Sequence, residues 1–196
     1  CGWMCLFRNR GVLGVSYVQA VQYYVFGAVE FFLVGYLTDG VGLDIFSIGV
    51  IAGSQIAALV IARPLIGRVS DRVGRSKPII AGAAASCLLV GAIPFTTAFP
   101  LLLLLAVGYS VGFAAVLSST TPLMSELVPA TLVGASMGFL ATVMDIGQTL
   151  GPIFSGIIFA TSLHYLGLFA SLSVLLASSI AVFVLSKKRV KAKPLN

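Results

Sequence analysis

Six long apolar runs, separated by short polar segments, dominate the sequence. They extend over residues 13–37, 46–66, 79–97, 101–121, 133–160 and 165–185. A helix of about 20 apolar residues crosses the hydrocarbon core of a bilayer and satisfies its own backbone hydrogen bonds there. No strand-like alternation of apolar and polar residues is present. We therefore predict an all-α integral membrane protein, a single six-span bundle covering residues 1–196, with a basic tail at 186–196.

The composition excludes a soluble domain. Hydrophobic residues make up 59% of the chain and charged residues 9%, and the mean hydropathy is +1.08. A soluble surface needs roughly a quarter charged residues. Cys1, Cys5 and Cys87 lack the spacing of a metal site and are interpreted as packing residues. We find no catalytic motif of a membrane enzyme, so we predict no enzymatic activity, cofactor or metal.

The basic residues define a topology. With six spans, the N-terminus, the connections after the second and fourth runs, and the C-terminus share one side of the membrane. All 12 Lys and Arg lie on that side or at its boundary. Positive charge marks the cytoplasmic side, so we predict cytoplasmic termini and a place in the cell membrane, plasma or inner. The basic residues then act as topological anchors, and no nucleic-acid partner is expected.

The densest cluster of charge lies between the second and third runs, at residues 67–78, which read GRVSDRVGRSKP. We predict a short polar loop in which Gly67 lets two helices approach closely and Gly74 permits a tight turn. Asp71 is expected to pair with a nearby arginine. The alternative interpretation is topological charge with one compensating acid.

The spacing G-x-x-x-D-R-x-G-R, formed by Gly67, Asp71, Arg72, Gly74 and Arg75, resembles the loop signature of the major facilitator superfamily. In that family the signature joins the second and third helices of each six-helix half. Ser76 departs from the pattern, and a basic residue, Lys77, follows it. The resemblance implies that Asp71, Arg72 and Arg75 act as a cytoplasmic latch that bonds to the opposite half.

Two further residues are candidate members of this latch. Arg63 lies just before Pro64, and its alternative is an arginine that extends from a helix end toward water. Glu126 lies at a turn on the same side and is interpreted as a helix-end or latch partner.

The resemblance also suggests which half this is. Many first halves carry R-x-x-q-G in their fourth helix, but alignment on Gly112 places Gly108 and Val111 at the Arg and Gln positions. Together with the abrupt start at Cys1 and the basic tail, this favours the C-terminal half of a twelve-helix protein. The missing N-terminal half is then an expected partner, besides the lipid bilayer.

Glu30 lies well inside the first run, where a carboxylate costs at least a few kcal/mol and is often functional. Successive residues of a helix are rotated by about 100° around its axis, and on this helix a stripe of polar and aromatic residues falls within an arc of about 60°. Its members are Gln19, Tyr23, Phe26 and Glu30, with Gln22 beside them. We predict that the stripe lines a water-filled substrate path. The alternative is a protonated Glu30 bonded to a neighbouring helix.

The fifth run has a polar and a small-residue face. Asp145, Gln148 and Thr149 share one face, with Gly138 and Pro152, whereas Gly147, Gly151 and Ser155 lie roughly opposite. The segment 147–156 resembles the glycine-proline motif of the family's antiporter branches, but that motif belongs in the first half. Helix packing by Gly147, Gly151, Pro152 and Gly156 is the favoured interpretation.

These features predict a secondary transporter that works by alternating access. Because a medium of low dielectric disfavours the charged form of a carboxyl group, Glu30 and Asp145 are the candidate proton carriers. Proton-coupled efflux of a drug-like compound or metabolite is the preferred form, with a small molecule and protons as partners. A proton symporter for a sugar or organic acid is the alternative, and a receptor or scaffold on a transporter fold is the alternative of another class.

Overall fold

The computed structural model describes residues 10–161 and 163–191, and the side chains as far as Ser186. This part of the chain contains six long helices and no strand. They are α1 (Arg10–Gly35), α2 (Ile45–Val73), α3 (Ser76–Ala92), α4 (Phe99–Glu126), α5 (Val133–Phe159) and α6 (His164–Lys191). All six are long and apolar enough to cross a membrane, which confirms the predicted six-span, all-α fold. Cys1, Cys5, Arg8 and the end of the predicted basic tail, residues 192–196, lie outside the described residues.

Short turns close the helix ends opposite the charged connection. α1 continues into a π-helical turn, Tyr36–Gly40, and α3 ends in a 3-10 turn, Ile93–Phe95. The Tyr36 hydroxyl donates hydrogen bonds to the carbonyl oxygens of Ile93 (3.3 Å) and Thr96 (3.0 Å). Tyr36 thereby holds the ends of α1 and α3 together.

Asp44 caps the start of α2. Its carboxylate accepts hydrogen bonds from the Ser47 hydroxyl (2.6 Å) and the Ser47 backbone N–H (3.3 Å). These bonds, the side-chain one first, lower the pKa of Asp44. A free backbone N–H group of the first helical turn is satisfied in this way.

The charged connection is mostly helical, so the predicted loop at 67–78 is wrong. α2 continues to Val73, and only Gly74 and Arg75 separate it from α3. Hydropathy marks where a chain leaves the hydrocarbon and not where its helix ends, so a helix that projects into water looks like a loop. Gly74 has φ +90°, which confirms that it makes the turn. Gly67 does not mediate a close approach, because a Cβ there would have no described atom within 4 Å.

α1 and α4 form the centre of the bundle. About 56% of the membrane span of α1 and 61% of that of α4 are buried, against 11% for α2 and 17% for α5. α1, α6, α3 and α4 form a ring in which each helix contacts the next. α5 packs on the outside of α1, and α2 on the outside of α4. The two peripheral helices therefore leave the widest surfaces open to lipid or to another bundle.

Close contacts between small residues join the ring, as expected where lipid removes most of the hydrophobic driving force. A Cβ on Gly82 of α3 would lie 2.6 Å from the Gly112 carbonyl oxygen of α4. Cys87 and Ser173 join α3 to α6, because the Cys87 thiol donates to the Ser173 carbonyl (3.2 Å) and the Ser173 hydroxyl donates to the Cys87 carbonyl (2.9 Å). Cys87 is thus a partly buried residue of a helix interface.

Candidate functional site

A cleft of about 110 Å³ lies between α1 and α2, with α4 as its floor. Away from the turn at Tyr36–Gly40, the described parts of α1 and α2 make almost no direct contact. Each packs on another helix, and the gap between them stays open. Apolar side chains form most of its wall, and four side chains contribute polar atoms: Glu30, Gln55, Tyr109 and Ser110.

Glu30 is the charged group of this cleft. Its side chain is exposed, and within the described part of the chain it has no hydrogen-bond or ion-pair partner. The Tyr109 hydroxyl lies in the floor, is fully buried, and is close enough to the Glu30 carboxylate to interact with it electrostatically. This hydroxyl has no hydrogen-bond partner either. The carboxylate is therefore free to receive a ligand or a proton.

Aromatic rings stack beside Glu30. Phe26 of α1 lies parallel to Phe113 of α4, with 4.6 Å between ring centroids and 4° between planes. Tyr109 continues the stack at 6.3 Å from Phe113, and Tyr23 meets the edge of Phe113 at 5.4 Å. Phe26 and Tyr109, the two ends of the stack, both line the cleft. The acid thus lies next to aromatic surface.

The stripe predicted on α1 is divided between the surface and the interior. Tyr23 and Phe26 are half-buried, whereas Gln19 and Gln22 are fully buried inside the bundle and cannot line an open path. The Thr120 hydroxyl of α4 donates a hydrogen bond to Gln19 Oε1. Gln19 Nε2 and both polar side-chain atoms of Gln22 are buried and have no hydrogen-bond partner among the described residues. Tyr23, Phe26 and Glu30 alone reach the open face.

A second polar group surrounds the Tyr23 hydroxyl. The Arg63 guanidinium of α2 and the Asp145 carboxylate of α5 both lie close enough to it for electrostatic interaction. At 1.5 Å per residue, the three positions are about 15–20 Å from the ends of their helices on the side of the charged connection. Arg63 lies ten residues before Val73, where α2 ends. Its membership of the latch stays a prediction.

α5 has two chemically different faces. Asp145, Gln148 and Thr149 are exposed, as is Gly138, and Pro152 is half-buried. The opposite face, Gly147, Gly151 and Ser155, is buried. The exposed polar face extends the open surface of the bundle, while the small-residue face packs on α1.

The packing between α1 and α5 is interlocked at backbone level. A Cβ on Gly147 would lie 2.6 Å from the Ala20 carbonyl oxygen, and one on Gly151 would overlap the Tyr24 carbonyl. In the reverse direction, a Cβ on Gly27 of α1 would overlap the Gln148 carbonyl. Gly156 is less crowded, with its nearest such contact, Phe32 Cζ, at an ordinary 3.7 Å.

The charged connection forms an ion-pair cluster with the end of α4. Arg75 Nε donates to Glu126 Oε1 at 3.1 Å, and another guanidinium nitrogen of Arg75 bonds to the Asp71 carboxylate. Burial alone would lower the pKa of Arg75, but the bonds to Glu126 and Asp71 outweigh it and raise that pKa. Asp71 therefore pairs with a local arginine, as the sequence suggests. Arg72 is exposed and makes no ion pair with any described residue.

Sequence reasoning missed the α2 and α4 walls of the cleft. Gln55, Tyr109 and Ser110 are isolated polar residues in apolar runs, and only the three-dimensional packing brings them beside Glu30. The polarity of Gln55 was the one available signal. Within the described ranges, no three His, Cys, Asp or Glu side chains come together as a metal site would require.

Sequence comparisons agree with this architecture. Residues 15–196 match the Major Facilitator Superfamily. The uncharacterized MFS-type transporter YwoD of Bacillus subtilis (strain 168) is 30% identical over 173 residues, which cover 82% of this chain and 37% of the relative.

Two other relatives are named for a function. The tetracycline resistance protein, class H, of Pasteurella multocida is 33% identical over 149 residues, covering 72% of this chain and 36% of its own length. The riboflavin transporter RibZ of Clostridioides difficile (strain 630) is 28% identical over 163 residues, which cover 82% of this chain and 36% of the relative. The chain thus spans little more than a third of the length of these relatives. With its six membrane-spanning helices and the match over nearly all of its residues, the chain belongs to the Major Facilitator Superfamily.

Proposed function

We propose that the chain is one half of a secondary transporter that exports a small drug-like compound or metabolite in exchange for protons. The observation that carries the proposal is Glu30, an unpartnered carboxylate in an open, aromatic-lined cleft within a membrane span. A charged group at that depth is costly unless it faces a cavity or a partner. A transport function would explain why a carboxylate is kept at this depth, because the carboxylate can exchange a proton for a ligand.

A second six-helix bundle is part of this proposal. The relatives are more than twice as long as this chain, and two of them are named for tetracycline resistance and riboflavin transport. In the proposed assembly the other bundle faces the open surface formed by α1, α2 and α5. Rocking of the two bundles about that surface would expose the cleft to each side of the membrane in turn.

The two intramembrane acids differ in their surroundings, which supports different roles. Arg63 and Asp145 both lie near the Tyr23 hydroxyl, so Asp145 has a cation in its surroundings. Glu30 has aromatic and apolar neighbours and no cation in its cleft. We assign the main proton-carrying role to Glu30 and a secondary role to Asp145.

The orientation of the bundle completes the proposal. The charged connection, with Arg68, Arg72, Arg75 and Lys77, would face the cytoplasm of the cell membrane. There, Arg72 is available for the opposite bundle, whereas Asp71 and Arg75 already bond within this one. The latch would then close by exchanging these local bonds for bonds across the two bundles.

The test uses the complete transporter in proteoliposomes, with tetracycline and riboflavin as probe substrates and an imposed pH gradient. Export coupled to inward proton flow supports antiport, whereas movement in the same direction as protons supports the symport alternative. Glu30→Gln should abolish pH-driven accumulation, and Asp145→Asn should reduce it. Asp39→Asn, on the exposed turn after α1, removes one charge outside the site and serves as the control. Full accumulation by both acid variants would remove the two carboxylates from the coupling role.

A further inference from the structure

We infer that the α1–α2 cleft is a subsite for the alkylated ammonium group of an organic cation. Glu30 would provide the opposite charge, and Phe26 and Tyr109 the aromatic walls. This inference rests on the proposed transport function and narrows it to a substrate class.

The charge of the cleft favours a cationic ligand. Of the described residues that line the cleft, Glu30 alone is ionisable at neutral pH, and no Lys or Arg is among them. An anionic ligand would meet an uncompensated carboxylate. A neutral ligand would cover that carboxylate and leave it without a partner, which is costly in a medium of low dielectric. A cation removes both penalties.

The aromatic lining of the cleft favours an alkylated ammonium group. Phe26 and Tyr109 both contribute to the cleft wall and are joined through the ring of Phe113. The face of an aromatic ring attracts ammonium groups, and recognition of quaternary ammonium by rings together with an acid is a recurring arrangement. An inorganic cation would instead seek several oxygen ligands, and the cleft offers few.

Size and wall chemistry identify the part of the ligand that fits. A cavity of about 150 Å³ holds one benzene molecule, so the 110 Å³ here suits a substituted ammonium group and not a whole drug-sized molecule. Val29, Leu33 and Ile51 form apolar walls that favour alkyl substituents over a hydrated ammonium ion. The rest of the ligand would lie on the open surface beyond the cleft.

The test compares two probes that differ only in charge: choline and its uncharged isostere, 3,3-dimethylbutan-1-ol. Binding to the complete transporter in lipid nanodiscs is measured by calorimetry. Choline should bind to the native protein more tightly than the isostere. The Glu30→Gln substitution should lower the affinity for choline at least tenfold and change the affinity for the isostere by less than twofold. Glu30→Asp, which keeps the charge, should restore the preference for choline, and Asp39→Asn should not alter it.

Retained binding of the isostere shows that Glu30→Gln is folded, so a specific loss of choline binding supports the inference. Equal affinity of the native protein for the two probes, or an unchanged choline affinity in Glu30→Gln, would overturn it. If either of these two results is found and the protein still transports tetracycline or riboflavin in response to a pH gradient, the transport proposal stands and only the ammonium subsite is rejected. Glu30-dependent choline binding in a protein that transports nothing would instead support the subsite and reject the transport proposal.

Discussion

The two sides of α1 differ in how closely the next helix approaches. On the α5 side, glycines bring the two backbones into direct contact, with Gly147 and Gly151 against α1 and Gly27 against α5. On the α2 side, the helices hardly touch, and the cleft that holds Glu30 separates them. One helix therefore has a fixed side and an open side.

This difference shows how a bundle of nearly uniform hydrophobicity can define a site. In lipid, helices associate through van der Waals contact and small residues, so the α1–α5 interface is specified by residues that have almost no side chain. No glycine among the described residues lines the cleft on the α2 side, and the space left over becomes the place where a charged group is tolerated. The closely packed side positions the residues of the open side.

The largest effect is expected from Gly151→Ala. A Cβ there overlaps the Tyr24 carbonyl, and a backbone atom cannot move aside as a side chain can. Overpacking of this kind costs roughly 1–3 kcal/mol of stability, which a thermal or denaturant unfolding experiment in detergent would detect. Gly138→Ala, on the exposed face of the same helix and with no atom within 4 Å, is the matched control. Equal stability of the two variants would contradict the close α1–α5 contact.

Filling the open side should affect activity more than stability. Ala52 lines the cleft, and Ala52→Leu would occupy much of its 110 Å³. We expect the rate of substrate transport to fall about tenfold. The free energy of unfolding should change by less than about 1 kcal/mol, because the added atoms enter empty space. Ala57→Leu, on an exposed position of the same helix outside the cleft, should leave both unchanged. A loss of stability as large as that of Gly151→Ala would show that the cleft is ordinary packing.

A smaller effect is expected at the charged connection. The Arg75 and Glu126 side chains are 21% and 54% exposed, so water weakens their ion pair. Exposed pairs contribute roughly 0.2–1 kcal/mol, and Glu126→Gln should cost no more than that. A double-mutant cycle with Arg75→Gln isolates the coupling between the two residues, which should decrease at high salt. A coupling above this range would make the connection a structural element as important as the α1–α5 interface.

The smallest effect belongs to the cap at Asp44. Because its folded-state pKa is lowered below the ordinary 3.8, its contribution is present above that pH and is lost as pH falls through the folded value. Asp44→Ala should increase hydrogen exchange in the first turn of α2 at neutral pH, while Asp44→Asn, which keeps an acceptor, should preserve protection. Identical exchange in both variants would show that the cap is not needed at this end of the cleft wall.

The sequence predicts the fold well because the membrane simplifies the problem. Apolar length alone defines six helices, and the tight turn at Gly74 follows from its conformational freedom. Helix ends are predicted less well, since α2 continues through the charged segment as far as Val73. The small-residue face predicted on α5 is also found in the structure, because Gly147 and Gly151 lie on one buried face of a regular helix.

The site is predicted only in part. Glu30 stands out because a carboxylate in an apolar run needs an explanation, but Gln19 and Gln22 share that polarity and lie inside the bundle. Periodicity gives the direction of a side chain around its own helix and not the identity of the neighbour it meets. Gln55 and Tyr109 become cleft residues through the packing of α2 on α4, which no local pattern in the sequence encodes.

Water access to the two sides of α1 tests this account most directly. In the complete transporter with its native cysteines replaced, single cysteines at Gln55, in the cleft, and at Ser155, on the face of α5 against α1, are treated with a membrane-impermeant maleimide. We expect rapid labelling at position 55, slowed by a bound organic cation, and little labelling at position 155. Labelling at position 155 with none at position 55 would contradict it.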